Sequence, residues 1–228
     1  ARIDRELGGL SPARRHASVL AGDALHRALS ALASSGRSIS EPVEGRVLVA
    51  VSGGVDSAVA ALREKEAGAD VIAVTVKLWA DPDTDGTKAC CSPEAVLGAR
   101  SLTHELGIPH FTLDLEGPFR EKVVGEFLRG YGEGRTPNPC VLCNGDLRIA
   151  AMVDLADRLG AGKLVTGHYA RVVEDEGGNL IAAGNDQSKD QSYMLAALPP
   201  DVVTRLAFPL AELTKEEVRE IAERGGLS

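Results

Sequence analysis

From residue 46 onward the chain repeats one pattern: a short, unbroken apolar run, then a stretch of helical periodicity, then another apolar run. The clearest apolar runs are Arg46–Val51 (RVLVAV) and Val71–Val76 (VIAVTV); Phe111–Leu115 (FTLDL) and Lys163–Thr166 (KLVT) read as further strands with polar residues among the apolar ones. Helical stretches separate them: through Ala60-Ala61-Leu62, after Ser92-Pro93 with its proline in the first turn, across Phe119–Leu128, and across Leu147–Leu159. A strand wetted on one face alternates apolar and polar residues, whereas a strand covered on both faces reads as a continuous apolar run. The pattern therefore predicts an α/β fold, a parallel sheet with helices on both faces. Ligands of such sheets bind beyond the carboxyl ends of the strands. Gly132–Pro139 reads as irregular and Val172–Ala183 as a hairpin around Gly177-Gly178. Thr214-x-x-Glu217 is a capping box that opens a last helix, closed by Gly225-Gly226.

The first forty-five residues stand apart as a short helical segment. Leu20–Leu32 (LAGDALHRALSAL) reads as a helix, and Ser34-Ser35-Gly36 through Glu41-Pro42 as its exit and a linker. No apolar run reaches eighteen residues in the 228, so no membrane partner is expected. The start lacks both Met and an apolar signal core, which reads as a processed chain or an excerpt of a longer one. A net charge of -8 weighs mildly against nucleic acid, although an acidic protein can carry a local basic face. The four cysteines fall as Cys90-Cys91 and Cys140-x-x-Cys143. Such pairs imply a reducing, cytoplasmic setting and metal, cluster or redox chemistry rather than a disulfide framework.

Ser52-Gly53-Gly54-Val55-Asp56-Ser57 joins the first strand to its helix. Two glycines allow a tight turn that points successive N–H groups inward as a nest for anionic oxygens. The helix end behind it adds about 0.3–1 kcal/mol, so tight phosphate binding has to come mainly from converging hydrogen bonds. A bare Gly-Gly is a common turn, but Ser-Gly-Gly-x-Asp-Ser between strand and helix is specific for nucleotide. The Gly-x-x-x-x-Gly-Lys-Ser/Thr pattern of γ-phosphate users is absent. The loop resembles that of the ATP-pyrophosphatase superfamily, which cleaves between the α and β phosphates. That resemblance implies ATP as cofactor and Asp56 as a holder of the metal–pyrophosphate, with Mg2+ as the metal.

A second constellation is Thr136-Pro137-Asn138-Pro139-Cys140-Val141-Leu142-Cys143-Asn144 ahead of a helix. Its prolines keep the loop extended. Asn144 reads as the helix N-cap, which sets Cys143 beside the positive end, where a thiol becomes a better nucleophile or ligand. Zinc held by Cys140 and Cys143, with Cys90 and Cys91, is the competing structural reading.

Together the motifs resemble the tRNA-specific 2-thiouridylase family (MnmA type), of adenine nucleotide alpha-hydrolase-like fold. The matching stretches are Val51–Ser57, Cys91-Ser92, Gly134–Pro139 with Cys143-Asn144, Thr166-Gly167-His168-Tyr169, Lys189–Tyr193 and Phe208-Pro209-Leu210. The resemblance implies that Ser52, Gly53, Gly54, Val55, Asp56, Ser57, Val76 and Gly167 contact ATP. It places Asn138, Pro139 and Cys140 near the target base, Lys189, Asp190 and Gln191 on tRNA, and Cys143 as the catalytic cysteine. His168 alone reads as a hydrogen-bonded structural histidine. The implied reaction is adenylation of a wobble uridine followed by replacement of its oxygen with sulfur. The implied partners are tRNA and a sulfur donor protein, either a persulfide carrier or a cysteine desulfurase system.

Family members carry a second catalytic cysteine and further domains beyond the point where this sequence stops, so a piece of a longer protein is expected. The resemblance is compatible with a [4Fe-4S] cluster with Cys140 or Cys143, or both, as ligands, a reading preferred to a disulfide-cycling persulfide relay. Leu10–Leu25 is similar to the last segment of IscU/NifU-type iron–sulfur scaffolds, with Ala17 where those have a cysteine ligand. The expected division is 1–45 scaffold-like segment and linker, 46–205 nucleotide-binding domain, and 206–228 the start of a helical region. The rival function is a non-catalytic, nucleotide-binding module for sulfur trafficking or cluster carriage.

Overall fold

The computed structural model describes residues 41–79 and 93–227. The expected helix at Leu20–Leu32, the scaffold-like segment and Cys90-Cys91 lie outside the described residues. Five parallel strands form the sheet in the order β3-β2-β1-β4-β7. They are β1 (Arg46–Ala50), β2 (Asp70–Lys77), β3 (His110–Asp114), β4 (Lys163–Val165) and β7 (Leu206–Ala207). An antiparallel hairpin, β5 (Ala170–Asp175) and β6 (Gly178–Ala183), stands apart. It turns at Glu176-Gly177, and Gly178 takes a positive φ of 114°.

Between the strands run α1 (Val55–Glu66), α2 (Pro93–Glu105), α3 (116–132), α4 (139–158), α5 (Pro200–Val203) and α6 (Lys215–Arg224). Each of the two middle helices contains one wide π turn, Arg120–Val124 in α3 and Cys143–Arg148 in α4. The unbroken apolar runs are explained by what covers them. Leu48, Ala50, Ile72, Val74, Val76 and Leu164 pack on Leu147, Met152 and Leu155 of α4. The alternate residues Val49, Val51, Val71, Ala73 and Val165 pack on Ala60 and Ala61 of α1 and Ala99 of α2. Burying each such Val, Leu or Ile contributes about 1.5–3 kcal/mol.

Topology fixes where a ligand can sit. Right-handed crossovers β1→β2→β3 step one way and put α1 and α2 on one face. The chain then returns past β1 to β4, which puts α3 and α4 on the other face. The direction reverses between β1 and β4, so the loops leaving these strands part to opposite sides and open a crevice at their carboxyl ends. Among the described residues no helix is long and apolar enough to cross a membrane.

Two expectations change. The Asn144 cap gives way to a helix that starts earlier: residues 133–138 are irregular, and Asn138 is the N-cap of α4, its side chain accepting from the Cys140 and Val141 N–H groups. Pro139 fills the first helical position, where its missing N–H costs nothing. Cys143 is therefore inside the helix, not beside its positive end. The sheet also continues past residue 205, because Leu206 and Ala207 pair with Leu164 and Val165.

Candidate functional site

The nucleotide loop is shaped by its own serines. Ser57 Oγ accepts the Ser52 N–H at 3.0 Å, donates to the Gly54 carbonyl at 2.9 Å, and lies 3.2 Å from Ser52 Oγ. Ser57 is buried and Gly53 and Gly54 are exposed, so the Ser57 hydroxyl braces the turn while the glycine backbone faces outward. Gly54 is the N-cap of α1, and the first bond behind it runs from Ala58 N–H to the Gly54 carbonyl at 3.2 Å. The amides of Val55, Asp56 and Ser57 therefore project from the helix end, where anions bind. Gly53 is required twice over: its φ is +81°, and a Cβ there would stand 2.7 Å from the Ala95 carbonyl oxygen of α2.

Gly167, in the loop after β4, presses on this turn. A Cβ at Gly167 would meet Ser57 N at 2.8 Å and Asp56 C at 2.9 Å. Residues 167–170 then turn alternately to the two sides of the crevice. Gly167 and Tyr169 face α1, the latter packed with Val59, Leu210, Val218 and Ala222. His168 stacks edge-on against Phe208 and feels the Arg148 charge of α4, while Ala170 joins the α4 cluster.

Asp56 is the electrostatic centre on the α1 side. Its Oδ1 accepts from Tyr169 Oη at 3.0 Å and from Lys215 Nζ at 2.5 Å. Lys215 comes from 159 residues further along the chain, placed by a complete capping box at Thr214 and Glu217. Burial, then the hydrogen bond to Asp56, drives the Tyr169 hydroxyl above its ordinary range, so it stays protonated and donates. His168 behaves differently: burial and then the Arg148 charge lower it to about 3, so it is neutral at physiological pH. Its Nδ1 lies 2.8 Å from Thr166 Oγ1. A neutral, buried, hydrogen-bonded ring fits the structural role read from the sequence.

On the other face, Cys143 is buried in the cluster that holds Ala50, Val76 and Leu195, whereas Cys140 is exposed in the first turn of α4. The helix before a parallel strand runs antiparallel to it, so the start of α4 lies at the same carboxyl edge as the nucleotide loop. Val76, at the carboxyl end of β2, shares the Cys143 side. Thiol and glycine turn thus open on one rim of the sheet but on opposite faces. The π turn that contains Cys143 also contains two buried polar atoms without a hydrogen-bond partner among the described residues, Asn144 Oδ1 and Arg148 Nε. The Asn144 amide is oriented by its Nδ2 bond to the Cys140 carbonyl at 2.9 Å.

The segment that follows the 187–191 turn packs beside this helix: a Cβ on Gly145 would meet Ala197 Cβ at 2.8 Å. Of the three residues expected on tRNA, Lys189 is exposed, and the other two are engaged internally. Asp190 accepts the Ser192 N–H, and Gln191 holds Tyr169 through both its backbone and its side-chain oxygen. The Lys215–Asp56 pair and the Gln191–Tyr169 bonds were missed by sequence reasoning; the Thr214 capping box, one residue from Lys215, was the available signal. A cleft of about 690 Å³ between α3 and α4, lined by Glu121, Lys122, Glu126, Arg129, Leu142 and Asp146, carries mixed charge and lies away from the glycine turn.

The donors available to bound groups differ. The half-exposed Asp56 carboxylate beside a phosphate nest suits a hard cation such as Mg2+. Cys140 and Cys143 do not by themselves complete a cluster or zinc site, and no group of three or more His, Cys, Asp or Glu side chains that could hold a metal occurs among the described residues.

A family model described as "tRNA methyl transferase HUP domain" matches residues 45–228. The bifunctional protein NifU/MnmA of Rubrobacter xylanophilus is 46% identical over 236 residues, covering 99% of this chain and 47% of that protein. The tRNA-specific 2-thiouridylases MnmA of Sorangium cellulosum and Persephonella marina are each 49% identical over 183 residues, covering 80% and 78% of this chain and 48% and 51% of their own lengths. The chain spans about half the length of the curated relatives it matches. Among solved structures, the U34-tRNA thiolase NcsA of Methanococcus maripaludis aligns with a TM-score of 0.48 at 23% identity, over 82% of this chain and 58% of that one.

Proposed function

Because the chain belongs to the tRNA methyl transferase HUP domain family, we propose that it is the nucleotide-binding part of an ATP-dependent tRNA uridine 2-sulfurtransferase. The observation that carries this reading is the convergence of the Ser52–Ser57 nest, Gly167 and the Cys140–Cys143 helix start on one rim of the sheet, at its topological switch point. The names of the MnmA relatives supply the chemistry that such a rim would serve.

In this reading the amides of residues 53–57 grip the phosphates, and Gly167 closes the floor of the nest without a side chain. Val76 lines the apolar wall at the end of β2. The Asp56 carboxylate would hold Mg2+, which when bound neutralises pyrophosphate charge. The uridine O2 attacks the α-phosphate, and pyrophosphate leaves. Sulfur then adds at C2, and AMP departs with the former O2. Asn138, Pro139 and Cys140 stand at the exposed entrance where an extruded base would arrive. Cys143 would carry the donor's sulfur as a persulfide whose outer sulfur adds at C2; a second thiol would then attack Cys143 Sγ, forming a disulfide and leaving the outer sulfur on the base. Lys189 would meet the tRNA backbone.

The test is direct. The intact polypeptide is incubated with ATP, a sulfur source and unmodified tRNA, and the digested tRNA is analysed for 2-thiouridine by mass spectrometry. Thiouridine that disappears in Cys143→Ala supports the enzyme. ATP binding with no thiolated base under any donor would instead support a carrier module.

A further inference from the structure

Both groups that bond to Asp56 are tethered to the same short segment of chain. Tyr169 donates its hydroxyl to Asp56 Oδ1, and Gln191 fixes the Tyr169 backbone from both sides: Gln191 Oε1 accepts the Tyr169 N–H at 3.1 Å, and the Gln191 N–H donates to the Tyr169 carbonyl at 3.2 Å. Lys215 donates its ammonium to the same oxygen, and its backbone N–H donates to Asp186 Oδ2 at 3.0 Å. Asp186 in turn caps the turn, its Oδ1 accepting from Ser188 N–H and Ser188 Oγ at 3.0 and 2.6 Å. Those contacts with Ser188, and then the Lys215 N–H, hold the Asp186 carboxyl below the usual range. Residues 186–191 therefore anchor Tyr169 through Gln191 and Lys215 through Asp186.

The Tyr169 ring cannot absorb a backbone shift by swinging. It is 2% exposed and wedged among Val59, Leu210, Val218 and Ala222. The 186–191 turn thus holds, at one remove, both groups that bond to the Asp56 carboxylate at the mouth of the phosphate nest.

We propose that Tyr169 and Gln191 are positioning residues through which an RNA bound at the exposed Lys189 turn sets Asp56, so that RNA docking and nucleotide binding are energetically coupled. This rests on the nucleotide and tRNA reading of the site. Coupling of this kind is reciprocal: the factor by which RNA tightens ATP equals the factor by which ATP tightens RNA. Asp190 sits between the two anchors and is spent on the Ser192 N–H at 2.9 Å, which keeps the turn a single unit.

The experiment measures the affinity of a non-hydrolysable ATP analogue for the full chain by titration calorimetry, with and without saturating unmodified tRNA transcript. For the unaltered protein the two affinities differ by about tenfold, a typical coupling. In Tyr169→Phe, which keeps the ring and removes the hydroxyl, and in Gln191→Ala, the ratio falls at least about threefold. The double variant falls no further than the larger single effect, because the two residues act in series. Thermal melts of each variant accompany the titrations. Lower melting temperatures with an intact ratio would mean that both residues serve only the fold, and would overturn the proposal. An unaltered protein that binds both ligands independently overturns it as well. Failure of that protein to bind the ATP analogue at all sinks the functional reading instead.

Discussion

At the scale of single residues, the site depends on atoms that are absent. Gly167 lies so close to Ser57 and Asp56 that one methyl group forces the β4 loop and the nucleotide turn apart. Gly167→Ala is expected to cost about 1–3 kcal/mol and to weaken nucleotide binding well beyond that loss of stability; denaturant melts and ATP titration of the same sample separate the two effects. His168 gives a second expectation. Its folded pKa, about 3, lies below the unfolded value of 6.5, so between these values the unfolded chain binds the extra proton. Its contribution is complete above pH 6.5 and is lost as the pH falls toward 3, at about 1.4 kcal/mol per unit. His168→Asn should flatten that part of the stability–pH curve, measured by urea denaturation from pH 7 to 4. The cysteines separate by exposure: peptide mapping after brief alkylation should find Cys140 labelled long before Cys143.

At the scale of elements, α4 shows how a loop signal can conceal a helix start. Asn138 bonds the Cys140 and Val141 amides, so Asn138→Ala should cost about 0.5–2 kcal/mol in chemical denaturation. In the sequence, Pro-Asn-Pro reads as punctuation, yet the same residues are an N-cap followed by proline at the first position, and nothing local distinguishes the two. The strands β1 and β2 were legible because burial on both faces leaves a continuous apolar signature. The two-residue β7 was not, since Leu206 and Ala207 are too few to show a period and pair only because β4 lies beside them. The glycine nest was legible from its own six residues. Its partners Tyr169 and Lys215 were not, because the fold brings them to Asp56 from residues far along the chain. Among the described residues, Asn144 Oδ1 and Arg148 Nε in the Cys143 π turn have no hydrogen-bond partner, a signal that sequence cannot carry.

At the scale of the whole molecule, a net charge of -8 makes any RNA contact local rather than a broad electrostatic embrace. In the proposed function, Lys189→Ala should weaken tRNA binding and make the log–log salt slope shallower by about 0.7–0.9, the share of one phosphate contact. A filter-binding series from low to moderate salt reads both. The strand order that reverses between β1 and β4 has an effect on traffic. In the proposed function, nucleotide would enter beside α1 and the buried thiol would be approached from the α4 side, because the two lie on opposite faces of the sheet. Two visitors on opposite sides of a wall do not queue for one doorway: in that function a sulfur-bearing protein would dock while ATP is still in place, and only the flipped base would have to reach over the parapet between them.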